Sequence, residues 1–99
     1  MIRGTTPIFE FTLDFDMSML DEAWVTFSQN DKIIIDKALN QCECDGQTLV
    51  VRLTQKETLE LECGCNAQIQ IRVKTKEGEA HASDIMEVYV EKILKDGEI

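Results

Sequence analysis

The fold is indicated most clearly by the stretch Ala67-Gln68-Ile69-Gln70-Ile71-Arg72-Val73-Lys74, in which apolar and polar residues alternate without interruption. Successive side chains of a β-strand point to opposite faces, so the apolar residues share one face and the polar residues share the other. The stretch therefore predicts a strand with one buried side, and we expect the rest of the chain to pack against that side.

Other segments show similar strand patterns and are separated by turn residues about every ten positions. The predicted strands are residues 7–16, 23–28, 33–39, 48–53, 67–74 and 80–92. The expected inward side chains outside the central strand are Phe9, Phe11, Leu13, Phe15, Ala23, Val25, Phe27, Leu49, Val51, Leu53, Ala80, Ala82, Met86, Val88 and Val90.

Two of these segments are irregular. The run Ile33-Ile34-Ile35 is apolar on both faces, as expected of a central strand that is covered on both sides. Asp84 falls among the inward positions of the last segment, so we expect a bulge or a change of sheet near Ser83 and Asp84.

Turn and helix signals divide the strands. Asn30 and Asp31 tolerate left-handed backbone and predict a hairpin turn, and Gly78 is expected to take a positive φ in a second turn. The stretch Thr54-Gln55-Lys56-Glu57 has the capping-box pattern of a helix start. Few apolar residues follow it, so the predicted helix is one or two turns long.

These elements predict an all-β fold. We expect residues 1–99 to form a single domain, an immunoglobulin-like antiparallel β-sandwich of 6–7 strands with one short helical turn. The Cys–Trp–Cys pattern of antibody domains is absent. A small β-barrel is the alternative architecture.

The charge balance excludes some classes of partner. The chain has 19 acidic and 10 basic residues, a formal net charge of −9, which disfavours nucleic acid and anionic membrane surfaces. Its surface is either simply solvated or selective for a basic protein partner. No secretory signal or membrane span is apparent. We therefore expect cytoplasmic synthesis.

Two Cys-x-Cys pairs, Cys42 with Cys44 and Cys63 with Cys65, are the most specific feature. Residues i and i+2 of a strand point to the same side. If the third and fifth strands are antiparallel neighbours, the four sulfurs converge and could hold tetrahedral Zn²⁺. Structural zinc sites usually use Cys-x2-Cys, so unligated thiols and disulfides remain open alternatives.

No catalytic set emerges from the other polar residues. His81 and Ser83 share one strand face, and we expect His81 to be an exposed strand residue. Asp14 and Asp16 have no calcium-binding loop around them and are expected at a polar strand edge. The chain also has no phosphate-binding Gly-rich loop and no metal-binding His pair. We therefore expect that it is not an enzyme.

Two aromatic residues are candidate interaction residues. Trp24 is one of the residues of the second strand that alternate to its outward face. It is either a half-buried packing residue or part of a binding surface. Tyr89 falls on the outward parity of the last strand, and it either marks an interface or is an isolated surface residue.

Most of the chain resembles a known group of proteins. Residues Thr5 to Leu13, followed by Ala23 to Gln29, look like small β-sandwich proteins of prophage and mobile-element structural cassettes in Gram-positive gut bacteria. Residues Leu53 to Leu59 and Ile93 to Gly97 are similar to the same group. A fainter resemblance is to the β-sandwich N-terminal domain of phage baseplate upper proteins. Both rest on strand pattern, and neither carries functional residues over.

The resemblance implies a role in a virion or in tail assembly. The first hypothesis is therefore a structural or interaction module of a phage or prophage particle, such as the tail or baseplate, with phage structural proteins or its own copies as partners. The second is a small adaptor domain stabilised by zinc at Cys42, Cys44, Cys63 and Cys65. An enzyme ranks last.

Overall fold

The computed structural model describes residues 1–99 and contains eight strands, one short α-helix and two single-turn 3-10 helices. In chain order the elements are β1 (Ile8–Thr12), a 3-10 turn (Met17–Met19), β2 (Leu20–Gln29), β3 (Lys32–Ala38), a 3-10 turn (Leu39–Gln41), β4 (Glu43–Asp45), β5 (Thr48–Arg52), α1 (Gln55–Leu59), β6 (Asn66–Thr75), β7 (Ala80–Ala82) and β8 (Met86–Tyr89).

The strands form two antiparallel sheets. One has three strands in the order β1-β5-β4, and the other has five, in the order β3-β2-β6-β7 with β8 paired to the opposite end of β6. The two ten-residue strands, β2 and β6, form the centre of the larger sheet. The prediction of a mostly β chain with two antiparallel sheets and one short helix is confirmed.

The hydrophobic core draws on both sheets. Phe27 of β2 is fully buried and meets Phe9 of β1 edge to face, with ring centroids 5.4 Å apart. All the inward residues predicted for segments 23–28, 48–53 and 67–74 are buried: Ala23, Val25, Phe27, Leu49, Val51, Leu53, Ala67, Ile69, Ile71 and Val73. The alternation in the sequence thus identified the apolar face of each of these strands.

The first strand is shorter than predicted. β1 ends at Thr12 rather than Asp16, because the chain then turns into a 3-10 helix whose N-cap is Asp16. The Asp16 carboxylate accepts a hydrogen bond from the Ser18 N–H (2.9 Å), and this bond lowers the pKa of Asp16. The predicted inward residues are only partly buried, although they pack against the core: Phe9, Phe11, Leu13 and Phe15.

The β2–β3 hairpin forms as predicted, but β3 is not a central strand. Asn30 and Asp31 both have positive φ, 52° and 61°, which gives a tight hairpin turn. Ile34 is an extra residue in the ladder, because Phe27 faces Ile35 while Ser28 faces Ile33. The bulge turns Ile33 outward at the sheet edge, where it is 61% exposed. The expectation that the isoleucine run is covered on both sides is therefore wrong.

The last predicted strand is interrupted at Ser83, as expected, and both parts pair with β6. The Ser83 hydroxyl, rather than a backbone carbonyl, accepts the Ile71 N–H (3.0 Å). One extra residue follows before Met86 pairs with Ile69. This shift reverses the parity, since a one-residue slip exchanges the two faces of a strand. Met86 and Val88 face the core, but Ala80 and Ala82 are exposed, which corrects their predicted inward orientation.

The predicted helix is a single capped turn joining the two sheets. The Thr54 hydroxyl accepts the Glu57 N–H (3.2 Å), and Glu57 Oε1 accepts the Thr54 N–H (2.9 Å), so the predicted capping box is confirmed. Glu57 Oε2 also lies 2.7 Å from the ammonium of Lys37, whose side chain is mostly buried. The ion pair ties α1 to edge strand β3.

The stability of the domain is expected to fall at acid pH through Glu57. Burial alone would raise the pKa of Glu57, but the hydrogen bonds from Lys37 and Thr54 outweigh it and hold the pKa below the ordinary 4.5. The unfolded chain therefore binds the proton more readily, so this contribution is present above pH 4.5 and is lost as the pH falls through the folded pKa.

The measurement is the free energy of unfolding in urea between pH 7 and pH 3, compared between wild type and Glu57→Gln. The variant should show a shallower loss at low pH, whereas exposed Glu60→Gln should follow wild type. Equal pH slopes for wild type and Glu57→Gln would contradict the prediction.

Both chain ends are held against the body of the domain. Residues Met1 to Arg3 run beside the end of β8, with a parallel bridge between Ile2 and Glu91. Arg3 also pairs with Asp96 at 2.7 Å. Gly4 has a φ of +79°, which disfavours other residues, and it lies close to the side chains of Leu59 and Ile93. The segment 95–99 is therefore held against the body of the domain, through Asp96 and through two hydrogen bonds between Gln55 and Ile99.

Candidate functional site

The outer face of the five-stranded sheet carries both predicted interaction aromatics. Trp24 is 37% exposed and lies opposite Arg72 in the β2–β6 register. Tyr89 is 54% exposed and lies opposite Asn66 in the β6–β8 register. Asn66 and Arg72 are six positions apart on β6, so the two aromatics lie about 20 Å apart at opposite ends of one face.

Trp24 is held in a defined orientation. Its indole N–H donates a hydrogen bond to Glu22 Oε2 at 2.7 Å, on the same side of the same strand. The ring is therefore half-buried against the sheet surface while its remaining area faces solvent, which combines the two possibilities raised by the sequence. An amphipathic ring fixed in this way loses little conformational freedom when a partner covers it.

A shallow depression of about 560 Å³ lies along this face between Trp24 and the sheet edges. Ile33 of β3 and Ile85, between β7 and β8, add apolar area to its lining, and both are more than half exposed. Thr26 donates its hydroxyl hydrogen to Asp36 at 2.7 Å within the depression. The alternation of residues in the sequence did not identify either isoleucine as outward-facing, because each lies next to a bulge that exchanges the two faces of its strand.

The four cysteines form two separate pairs. The Cys42 thiol donates to the Ala38 carbonyl at the end of β3 (3.3 Å), whereas Cys65 Sγ accepts from the Gln29 side-chain amide at the end of β2 (3.4 Å). Ala38 faces Trp24, and Trp24 and Gln29 are five positions, or about 17 Å, apart on β2. The sulfurs around one zinc ion lie within about 4 Å of one another.

The reason is the strand order. The expected convergence required the third strand to run antiparallel beside the strand that contains Ile69. Instead β2 lies between β3 and β6, and both run antiparallel to β2, so they run parallel to each other. The end of β3 therefore lies beside the end of β6 rather than its start. The expected meeting of Cys42, Cys44, Cys63 and Cys65 at one point is wrong.

The environment of the Cys42 thiol disfavours its ionisation. Burial raises its pKa, the neighbouring Cys44 raises it further, and Lys37 acts in the opposite direction. Because the thiolate is the nucleophile and the metal ligand, this environment disfavours both roles for Cys42 at neutral pH. None of the four cysteines forms a disulfide.

Chelators are therefore expected to leave the melting temperature unchanged within about 2 °C, because Cys42 and Cys65 lie too far apart to share one zinc ion. The measurement is thermal unfolding of protein refolded in zinc-free buffer, with and without a strong chelator. Native mass spectrometry of the same sample gives the metal content. One zinc per chain together with a large loss of melting temperature on chelation would contradict the prediction.

His81 and Ser83, whose residue types could suggest a nucleophilic site, have other contacts. His81 Nε2 lies 3.4 Å from Glu79 Oε2, and its exposed ring tilts against Phe15 at a centroid distance of 5.6 Å. The Ser83 hydroxyl accepts the Ile71 N–H and donates to the Asp84 carbonyl (2.9 Å), so its hydrogen-bonding capacity serves the backbone. His81 and Ser83 thus form no nucleophile–base hydrogen bond.

Comparisons of the chain with protein-family models, curated proteins and solved structures gave no match. None of the helices in the structure has the length and apolar character needed to cross a membrane.

Proposed function

We propose that this domain is a non-enzymatic protein-interaction module whose contact surface is the outer face of the five-stranded sheet. The observation that carries the proposal is the set of apolar side chains exposed on one uncovered face: Trp24, Ile33, Ile85 and Tyr89. Trp and Tyr are enriched among the residues that dominate binding energy. Three of these side chains, Trp24, Ile33 and Ile85, line one depression, and exposed apolar patches are typical of protein-binding surfaces.

The partner we propose is a protein chain of a phage or prophage particle, in the tail or baseplate, including further copies of this chain. The resemblance of residues 5–13 and 23–29 to proteins of prophage structural cassettes supports this role. With 19 acidic against 10 basic residues, the domain favours a partner surface rich in Lys and Arg.

We also propose that the sandwich is immunoglobulin-like, and its strand order supports this. The order β1-β5-β4 corresponds to strands B-E-D of that fold, and β3-β2-β6-β7 corresponds to C′-C-F-G. Strand A, which in that fold lies beside strand B, has no counterpart hydrogen-bonded to β1. The smaller sheet therefore ends at β1.

The test is the association state of untagged protein, alone and with neighbouring particle proteins, by native mass spectrometry and light scattering. We expect an oligomer or a stable complex, and the double variant Trp24→Ser with Tyr89→Ser should weaken it roughly tenfold or more. The control Leu94→Ser removes an exposed apolar side chain from the tail and should have no effect. A strictly monomeric protein that is absent from purified particles would overturn the proposal.

A further inference from the structure

Strand β1 has one hydrogen-bonded edge and one open edge. It pairs only with β5. The flanking hydrogen bonds from the Leu13 N–H to the Gln47 carbonyl and from the Leu53 N–H to the Pro7 carbonyl show which residues of β1 direct their backbone groups toward β5. Backbone groups of an antiparallel pair alternate in direction along the strand. The N–H and C=O groups of Ile8, Glu10 and Thr12 therefore point away from β5, where no other strand meets them.

The core is incompletely covered beside this open edge. Phe11, Leu13 and Phe15 remain only partly buried, although they pack against the core. A cleft of about 300 Å³ lies beside the end of β1, between the two sheets, and its apolar lining includes Leu13, Phe15, Ile71 and Val73. The cleft and the unpaired backbone thus lie on the same open side of the sandwich.

The other sheet edges are protected. β3 is bulged at Ile34, and β4 and β7 are only three residues long. The end of β8 is covered by Met1 to Arg3, through bonds between Glu91 and both Met1 and Arg3. Bulges, short edge strands and covering segments are the usual devices that prevent strand addition. β1 is a regular five-residue strand without any of them.

The charge at the open edge is negative. Glu10 lies on the outer face of the smaller sheet, Asp14 lies beside the cleft, and neither forms an ion pair. The basic residue of β5 that lies nearest to Glu10 in the strand pairing is Arg52, and its side chain forms an ion pair with Glu43 at 2.9 Å. A strand added to β1 would place its own outward side chains beside Glu10, where Lys or Arg is favoured.

We propose that the open edge of β1 accepts an extended segment of a partner protein as a fourth strand of the smaller sheet. The segment alternates apolar residues, which enter the cleft beside Leu13, with basic residues, which lie beside Glu10. Its backbone pairs with Ile8, Glu10 and Thr12, which is recognition by strand addition. This site is separate from the outer face of the larger sheet, so the two proposals can be tested independently.

The first test needs no variant. A fluorescein-labelled peptide of alternating valine and lysine is titrated with the intact protein, and binding is followed by anisotropy. We expect saturable binding and, in hydrogen exchange, new protection of the Ile8, Glu10 and Thr12 amides. Peptides with the same residues in blocks, or with glutamate in place of lysine, should bind at least roughly tenfold more weakly.

Variants locate the site on the molecule. Glu10→Pro removes an outward N–H without removing a bond to β5, and Glu10→Lys reverses the charge; each should weaken peptide binding roughly tenfold. Glu60→Lys is the matched control for charge, and Trp24→Ser is the control for the other face, and both should bind as wild type. Circular dichroism confirms that each variant is folded.

Two results would overturn the proposal. One is the absence of saturable binding by the alternating peptide at millimolar concentration. The other is binding that protects no β1 amide and is equally strong for the block peptide, which would indicate nonspecific attraction to an acidic protein. If peptide binding fails while the protein still oligomerises through Trp24 and Tyr89, only the strand-acceptor site is rejected.

Discussion

Phe27→Ala is expected to destabilise the domain by about 3–5 kcal/mol, because it removes a fully buried aromatic ring and leaves a cavity between the sheets. The lost edge-to-face contact with Phe9 adds to the cost of the lost burial. A domain of this size has a total stability of about 5–15 kcal/mol. The change should therefore lower the melting temperature by roughly 15 °C or more.

The measurement is thermal and urea unfolding of wild type, Phe27→Ala and Trp24→Ala. Trp24 lies three residues away on the same strand but on the outer face, so its removal is the matched control for loss of an aromatic ring. We expect the Trp24 variant to lose far less stability than the Phe27 variant. Equal losses would contradict the assignment of the inner and outer faces of β2.

Gln29→Ala is expected to cost about 2–4 kcal/mol, because the buried Gln29 amide bonds to both backbone groups of Glu62. Its oxygen accepts the Glu62 N–H at 2.7 Å, and its NH₂ donates to the Glu62 carbonyl at 2.9 Å. The Gln29 side chain thus makes the two hydrogen bonds that the backbone of a neighbouring strand would make, and it anchors the loop before β6. Removing it leaves the Glu62 N–H without a protein partner and the Glu62 carbonyl with only the weak hydrogen bond from the Cys65 thiol (3.8 Å).

Two measurements test this prediction together. Unfolding in urea gives the loss of stability. Reaction with a thiol dye, located by peptide mass mapping because Cys44 and Cys63 are exposed as well, reports Cys65, whose sulfur accepts a hydrogen bond from the same amide (3.4 Å). Gln29→Ala should react faster at Cys65, whereas Ser28→Ala, at the next position on the outer face, should match wild type in both measurements. Wild-type stability and thiol reactivity in the Gln29 variant would refute the anchoring role.

Several features of the fold could be predicted from the sequence because their causes are local. The alternation of Ala67 to Val73 identified the buried face of β6, since the period of two follows directly from strand geometry. Asn30 and Asp31 predicted the hairpin because these residue types tolerate positive φ. Thr54 and Glu57 predicted the helix start, because a capping box involves only four neighbouring residues.

Part of the candidate site was also predictable. Outward parity placed Trp24 and Tyr89 on the solvent side of their strands, and both lie on the outer face of the larger sheet. Ile33 and Ile85 could not be added from the sequence, because a bulge shifts parity by one residue without leaving a clear local signal. The depression on this face therefore became apparent only in the folded chain.

Tertiary structure alone decided which strands became neighbours. Strand pairing depends on contacts between segments far apart in the chain. The hydrophobic alternation within either segment does not show which other segment it pairs with. For this reason β2 could lie between β3 and β6, which kept Cys42 away from Cys65. For the same reason β1 was left with an open edge. The sequence by itself determined which residues are buried in most strands, whereas the pairing order determined which side chains meet and which edges stay open.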